Sequence, residues 1–455
     1  MVLRFKKPGA AAVATPDPPV VLPGAIELTG ADGDYDRLMD MIGDARYVLL
    51  GEATHGTHEF YLERARITQR LIAEKGFSAV AVEADWPDAY RVNRYIRSDG
   101  DARSAAEALD GFQRFPHWMW RNTDVVDLVN WLRAHNDGQA TADQVGFYGL
   151  DLYSLFTSIE EVLRYLDGVD PQAAEAARAR YGCFDHYEQD SQQYAYSTGV
   201  GMSASCENGV IAQLHEMQAR SGDYMRQQGG SGADEFFHAQ QNARLIKNAE
   251  EYYRTMFHGR VSSWNLRDSH MADTLDALAT HLSEGRGQPA KIVVWEHNSH
   301  IGDARATETG QLGEWNVGQL ARQRYGRDAF LLGLTTYAGW VTAASRWDGE
   351  PEKKQVLPAL PGSYEELFHR SGLARFLLPL GPDSAAAGLL QARRLERAIG
   401  VLYLPKSERQ SHYFSAQMLE QFDAVIHIDQ TDAVEPLQGT HAGGGEVPET
   451  YPVGV

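Results

Sequence analysis

Two apolar runs in this chain each end in a short segment crowded with histidine and glutamate. Arg46-Tyr47-Val48-Leu49-Leu50 leads into Gly51-Glu52-Ala53-Thr54-His55-Gly56-Thr57-His58-Glu59. Lys291-Ile292-Val293-Val294-Trp295 leads into Glu296-His297-Asn298-Ser299-His300. Short continuous apolar runs of this kind read as strands buried on both faces, as parallel strands are between helix layers. In open α/β sheets, ligands bind outside the carboxyl ends of the strands. Two His/Glu clusters at such ends point to a hydrolytic or metal site built across the top of one sheet.

The intervening chain supports that sheet. Residues 34–42 read as a helix, 47–50 as a first strand, and 60–75 as a helix whose Phe60, Ile67 and Leu71 share one stripe. Gly76 is placed as its C-terminal stop. Residues 79–82 form a second apolar strand ending in Glu83-Ala84-Asp85-Trp86-Pro87, 124–135 another amphipathic helix, and 144–149 lead to a third strand end at Asp151. This alternation predicts a three-layer α/β/α fold with a mostly parallel sheet of at least five strands. From about 158 to 283 the signals turn helical, clearest at 174–180, 207–227 and 235–257, and predict a helical insertion after the third strand. The sheet resumes at 292–294, 329–334, 376–379, 399–404 and 424–428. The expected organisation is a flexible leader (1–24), a first part of the α/β domain (25–157), the insertion (158–285), a second part of the domain (286–437), and a Gly-, Pro- and acid-rich flexible tail (438–455).

Charge and cysteine usage narrow the function classes. A net charge of −20 disfavours nucleic acid and anionic membrane surfaces, both of which need a basic face. Cys183 and Cys206 are too few for a disulfide framework or a thiolate zinc site, the pattern of a reducing compartment. Pro8, Pro16, Pro18 and Pro19 interrupt the start, which has no unbroken apolar run of a signal peptide or membrane span. The expectation is a cytoplasmic protein.

Glu52 and His55 lie in a strand-to-helix turn where Gly51 and Gly56 give the backbone freedom to turn sharply. An imidazole with a neighbouring carboxylate is the usual general base near neutral pH. The plainer alternative makes Glu52 a helix cap and His55 a polar loop residue, with His58 and Glu59 in the helix start. Glu83, Asp85 and Asp151 end neighbouring strands, and Glu296, His297 and His300 complete the rim. Such a set is also a candidate for a divalent metal, although no His-Glu-x-x-His helix is present. No Gly-x-Ser-x-Gly elbow occurs, Gly201-Met202-Ser203-Ala204-Ser205 being the nearest approach, so the nucleophile expected is water. Aromatic residues gather in Trp118-Met119-Trp120-Arg121-Asn122, and Tyr187, Tyr194 and Tyr196 stand among polar residues as a candidate cleft wall. Asp85, Trp120, Arg121, Asp151 and Glu296 are the candidate substrate-binding residues.

Taken in order, Gly51-Glu52-Ala53-Thr54-His55-Gly56, Glu83-Ala84-Asp85, Trp118-Met119-Trp120-Arg121-Asn122, Arg267-Asp268 with Met271, and Glu296-His297-Asn298-Ser299-His300 resemble the erythromycin esterase family. That family contains hydrolases that open macrolide lactone rings with an activated water, alongside members of unknown substrate, some labelled succinoglycan-biosynthesis proteins. The resemblance implies that Glu52 and His55 are the catalytic pair, with His55 as general base. It implies that Arg64 is the active-site arginine, Glu83 the second carboxylate, and His297 and His300 the distal pair. It implies no metal and no cofactor. The expected partner is a small-molecule ester or macrolide-like substrate. The rivals are a non-catalytic or polysaccharide-associated binding protein of the same fold, and a metal-dependent hydrolase.

Overall fold

Alternate residues of a strand point to opposite faces of a sheet, so a strand apolar at every position must be covered on both sides. In the computed structural model, which describes residues 19–187, 190–199, 201–227 and 232–437, that is how the central strands sit. Tyr47, Leu49, Ala79, Ala81, Ile292 and Val294 join one buried apolar cluster. Their neighbours Val48, Leu50, Val80, Val82, Val293 and Trp295 join the other.

The strands are β1 (Ile26–Glu27), β2 (Tyr47–Leu50), β3 (Ala79–Asp85), β4 (Gly146–Asp151), β5 (Ile292–Trp295), β6 (Ala329–Ala343), β7 (Glu352–Val356), β8 (Arg375–Pro379), β9 (Arg394–Arg397), β10 (Tyr413–Ala416) and β11 (Ala424–Thr431). The main sheet runs β1-β8-β11-β6-β2-β5-β3-β4, with β7 folded back on β6 and β9–β10 a separate pair. From β11 through β4 every pairing is parallel. The β8 and β1 edge and the β7 flap are antiparallel. Because β2, β5 and β3 are adjacent and parallel, the turns that follow them open at the same rim.

Helices cover both faces, giving the three layers. Asp36–Ile42, His58–Lys75, Trp86–Ile96 and Thr123–Asn136 place Leu38, Phe60, Ile67, Val92 and Leu128 in one cluster. The helices between β4 and β5, from Leu155–Val169 to Arg260–Arg286, bury Val162, Phe236, Ile246, Met271 and Leu278 in the other. Gly76 ends its helix in the left-handed conformation, at φ 69°, where the absence of Cβ matters.

Several elements differ from the sequence expectation. The segment 399–404 is not a strand: Ile399 and Leu402 make isolated bridges to Thr54 and Ala344, and the strand nearby is Arg394–Arg397. The strand expected at 329–334 continues to Ala343 because β11 and β7 supply partners along it. The helix expected at 207–227 is two, Glu207–Ala219 and Ser221–Gln227. The expected leader is tied down at its end: Leu22 is buried and the Val20 N–H donates to the Arg370 carbonyl at 2.9 Å. Residues 1–18 and the expected tail, 438–455, lie outside the described residues. Cys183 and Cys206 are joined as a disulfide with Cα atoms 5.9 Å apart, which removes the cysteine-based argument for a reducing compartment. Among the described residues no helix is long and apolar enough to cross a membrane.

Candidate active site

The turn after β2 passes so close to its neighbours that two positions admit no side chain. A Cβ on Gly51 would stand 2.1 Å from Asn298 Oδ1, and one on Gly56 would stand 1.9 Å from the Thr342 carbonyl oxygen. Neither glycine has a positive φ, so close approach, rather than the backbone freedom expected from sequence, is what demands them. Helix His58–Lys75 starts here with Thr57 at its N-cap position. Glu52 is not a cap. One of its oxygens accepts from His55 Nδ1 at 3.0 Å and the other from Arg64 Nη2. Tyr61 donates its hydroxyl to the His55 carbonyl at 2.8 Å. The Arg64 guanidinium lies 4.6 Å from the ring centres of both Tyr61 and Trp295. With its Nδ1–H directed at a carboxylate, the neutral His55 ring has its basic lone pair on Nε2.

The turn after β5 meets the ends of β3 and β4 around a second buried arginine. Arg267, from helix Arg260–Arg286, donates twice to Asp151, from Nε at 2.9 Å and from Nη2 at 2.6 Å. Its Nη2 also donates to Glu83 at 2.7 Å, and its Nη1 lies 3.0 Å from His300 Nε2. Glu83 accepts the backbone N–H of His297 at 2.9 Å. Burial alone would raise the Glu83 pKa, but the charges of His300, Arg267 and His55 and that N–H hold it well below the usual carboxylate range. His300 donates Nδ1–H to Asp268 at 2.9 Å, and Trp264 stacks on its ring at 4.5 Å. Burial opposes charging His300, yet Asp268 and Glu83 on either side raise its pKa.

His297 behaves in the opposite way. Burial first, then the neighbouring His55, lowers its pKa well below the ordinary value, so the ring is neutral at pH 7. The Ser299 N–H donates to its Nδ1 at 3.2 Å, which puts the ring proton on Nε2. That Nε2 has no hydrogen-bond partner, and the His55 ring centre is 4.9 Å away. Beside it, Glu296 is buried with neither carboxyl oxygen paired. Desolvation, then Glu83 and Asp268, push its pKa well above the usual range, so it is a neutral acid.

His55 and Glu83 face a cavity of about 100 Å³. Arg267, Asp151, Asp85 and Trp120 line it too, together with Phe112, Phe115 and Trp347 as an aromatic wall. Of the expected substrate contacts, Arg121 and Glu296 do not line it: Arg121 is turned to Asp110 at 3.1 Å and Glu296 is buried. Arg64, His297 and His300 are buried and likewise do not line it. Tyr187 and Tyr194 are no cleft wall; they pack on each other at 5.2 Å in the core beneath the helices, while Tyr196 is exposed. Asp88, Arg114 and Tyr153 are cavity residues that sequence reading did not single out, because helix and loop packing alone brings them to the rim. Arg267 was legible as a motif residue, but its role as the ion-pair hub of Glu83 and Asp151 was not. Among the described residues no group of three or more His, Cys, Asp or Glu side chains is spaced to hold a metal ion.

Comparison with known proteins agrees with this fold. The erythromycin esterase family model matches residues 72–431, a span that starts after the Glu52–His55 turn. Erythromycin esterase type II from Escherichia coli is 23% identical over 437 residues, covering 88% of this chain and 93% of that protein. A crystal structure described as a succinoglycan biosynthesis protein superposes with a TM-score of 0.73 at 22% identity, covering 90% of this chain and 96% of its own. An erythromycin esterase mutant, EreC in its open conformation, gives a TM-score of 0.62 at 17% identity, covering 87% of this chain and 93% of its own.

Proposed function

The chain belongs to the erythromycin esterase family, and from that premise we propose that it is a hydrolase in which His55 activates water against a carboxylic ester or lactone. Family membership by itself supports a hydrolase. The observation that carries the finer reading is the Glu52–His55 pair, which commits Nδ1–H and presents a basic imidazole at the wall of a small cavity. A protein that only binds has no evident need for such a pair.

In this mechanism His55 Nε2 removes a proton from water as its oxygen attacks the carbonyl carbon. Charge then develops on the carbonyl oxygen. Of the two arginines in the cavity wall, Arg114 is paired with Asp85, whereas Arg267 has four of its five N–H groups directed at Asp151, Glu83 and His300, leaving one of Nη1 for that oxygen. This assigns Arg267 the oxyanion role, while Arg64 is committed to holding Glu52. Collapse of the intermediate expels an alkoxide, which recovers the proton from the His55 imidazolium. Glu83 remains ionised throughout and favours that imidazolium. Positioned acid–base catalysis contributes on the order of 10²–10⁴-fold, and an oxyanion donor on the order of 10²–10³-fold.

A cavity of about 100 Å³ admits an ester group and its nearest carbons. A bulky hydroxylated ester or macrolide-like lactone then places its remaining bulk outside the rim. The test is mass spectrometry of the protein incubated with a panel of macrolides and polyol esters. Gain of one water on any member, absent with His55→Ala, supports the reading. Hydrolysis at parental rate by that variant overturns the general-base assignment.

A further inference from the structure

A second cavity, of about 840 Å³, lies at the far end of the helix that supplies Arg267 to the catalytic centre. Arg286 stands in its wall, and about 28 Å of helix, at about 1.5 Å per residue, separates the two arginines. Thr141, Ala142 and Arg286 belong to the segments that lead into β4 and β5, so this cavity sits at the amino ends of the strands. The catalytic cavity sits at the carboxyl ends, and the two share no residue. Phe236, Phe237 and Leu282 give the second cavity an apolar floor. Its volume falls within the roughly 300–1,000 Å³ of small-molecule sites.

Charge in this wall is unevenly matched. Asp234 accepts from Arg97 Nη1 at 3.2 Å and pairs with His281 Nε2 at 2.8 Å, so its carboxylate is engaged on both oxygens. Arg97 still has a buried Nε without a hydrogen-bond partner. Arg286 is half-buried, donates Nη2 to the Gln144 carbonyl at 2.8 Å, and has no carboxylate partner among the described residues. Burial and then the neighbouring Arg97 lower its pKa, and the exposed Asp143 nearby does not offset them. Glu284, the other carboxylate of the wall, is exposed, where water screens it. Two guanidinium groups therefore share one cavity with a single committed carboxylate between them. An added anion relieves that repulsion.

We propose that this second cavity binds an organic monocarboxylate, its carboxylate held by Arg286 beside Arg97 and its apolar body laid on Phe236 and Leu282. A guanidinium presents paired N–H groups that match the two oxygens of a carboxylate. A dianion such as a phosphate ester meets Asp234 and Glu284 in the same wall, and an ammonium meets both arginines. The proposal stands apart from the esterase reading, since binding here requires neither turnover nor any residue of the catalytic cavity.

The probes share one body and differ in charge. Indole-3-acetate is compared with indole-3-acetamide and tryptamine, and decanoate with decanol, while phenyl phosphate is the dianion. Binding to the full chain is read by isothermal titration calorimetry. Each carboxylate is expected to bind at least about tenfold tighter than its uncharged counterpart. Arg286→Met is expected to remove that preference. Thr280→Trp and, independently, Ala142→Trp fill the cavity from exposed positions and are expected to weaken carboxylate binding by at least about tenfold. Four results overturn the proposal: neither carboxylate binds; the amide, amine or alcohol binds as tightly; phenyl phosphate binds more tightly than both carboxylates; or carboxylate binding is unchanged by Arg286→Met and by both tryptophan variants.

Discussion

The turns after β2 and β5 are hydrogen-bonded neighbours, the Asn298 N–H donating to the Glu52 carbonyl at 2.8 Å, and both carry glutamate and histidine. They are built on different principles. After β2, both Glu52 oxygens and His55 Nδ1 are engaged, and Arg64 locks the carboxylate from behind. After β5, Glu296 and His297 Nε2 have no partners, and burial drives Glu296 up and His297 down. One turn is shaped by hydrogen bonds into a single geometry. In the other, desolvation favours the uncharged forms of Glu296 and His297 beside the ionised Glu83. The same residue types therefore do not imply the same role, and a mutation should read differently in each turn.

The sharpest way to break the comparison is to remove the base. His55→Ala is expected to lower ester hydrolysis by on the order of 10²–10⁴-fold with an unchanged circular dichroism spectrum. Parental turnover in that variant would put the chemistry elsewhere. Arg267→Met is the next largest effect. It leaves Glu83 and Asp151 buried without their cation, and urea unfolding should show a loss of about 3–5 kcal/mol. A loss under about 1 kcal/mol would mean that the hub is solvated and weakly coupled.

The β5 turn makes predictions with the opposite sign. The folded Glu296 pKa lies above its ordinary value of 4.5, so the unfolded chain ionises first and stability falls as pH rises beyond that point. Glu296→Gln removes this term. It should be more stable than the parent at pH 7, by a margin that grows by up to about 1.4 kcal/mol per pH unit above 4.5. Equal stability of the two proteins from pH 5 to 8 would show Glu296 to be ionised after all. The smallest effects are spectroscopic. In an NMR titration His300 should protonate above the ordinary 6.5, giving stability that is present below that value and lost as pH rises through the folded pKa. His297 should stay neutral down to acid unfolding. A normal titration of both rings would erase the contrast between desolvated and paired groups. EDTA is expected to leave turnover unchanged, because arginines already hold Glu52 and Glu83; loss of activity restored by one divalent ion would refute that.

Legibility in the sequence followed the local physics. Val48-Leu49-Leu50 and Ile292-Val293-Val294 were readable because a strand covered on both faces must be apolar throughout. The helix Trp86–Ile96 was not read, although Pro87 in its first turn is a start signal, because the carboxylates before it looked like a loop end. Ile399 to Leu404 looked like a strand, yet Gly400 and Pro405 leave it only two bridges. At the site, strand-end residues such as Glu52, His55 and Glu83 were legible by position. The orientation of Arg64, turned onto Tyr61 and Trp295, was not, since helix periodicity gives a face without saying what fills it. The cavity wall from Asp88, Arg114 and Trp347 depends on contacts across long stretches of chain, which no local pattern encodes.

The clearances at Gly51 and Gly56 have a consequence for reading variant libraries. With 2.1 Å and 1.9 Å where a Cβ would sit, even alanine forces the turn away from Asn298 or the Thr342 backbone. Both positions flank Glu52 and His55, so a screen scored on activity alone would rank them with the catalytic residues. A second score separates the classes. Soluble yield and protease resistance should collapse for substitutions at 51 and 56 and survive for His55→Ala. Residues that lose both scores belong to the scaffold, and only those that lose activity alone define the chemistry.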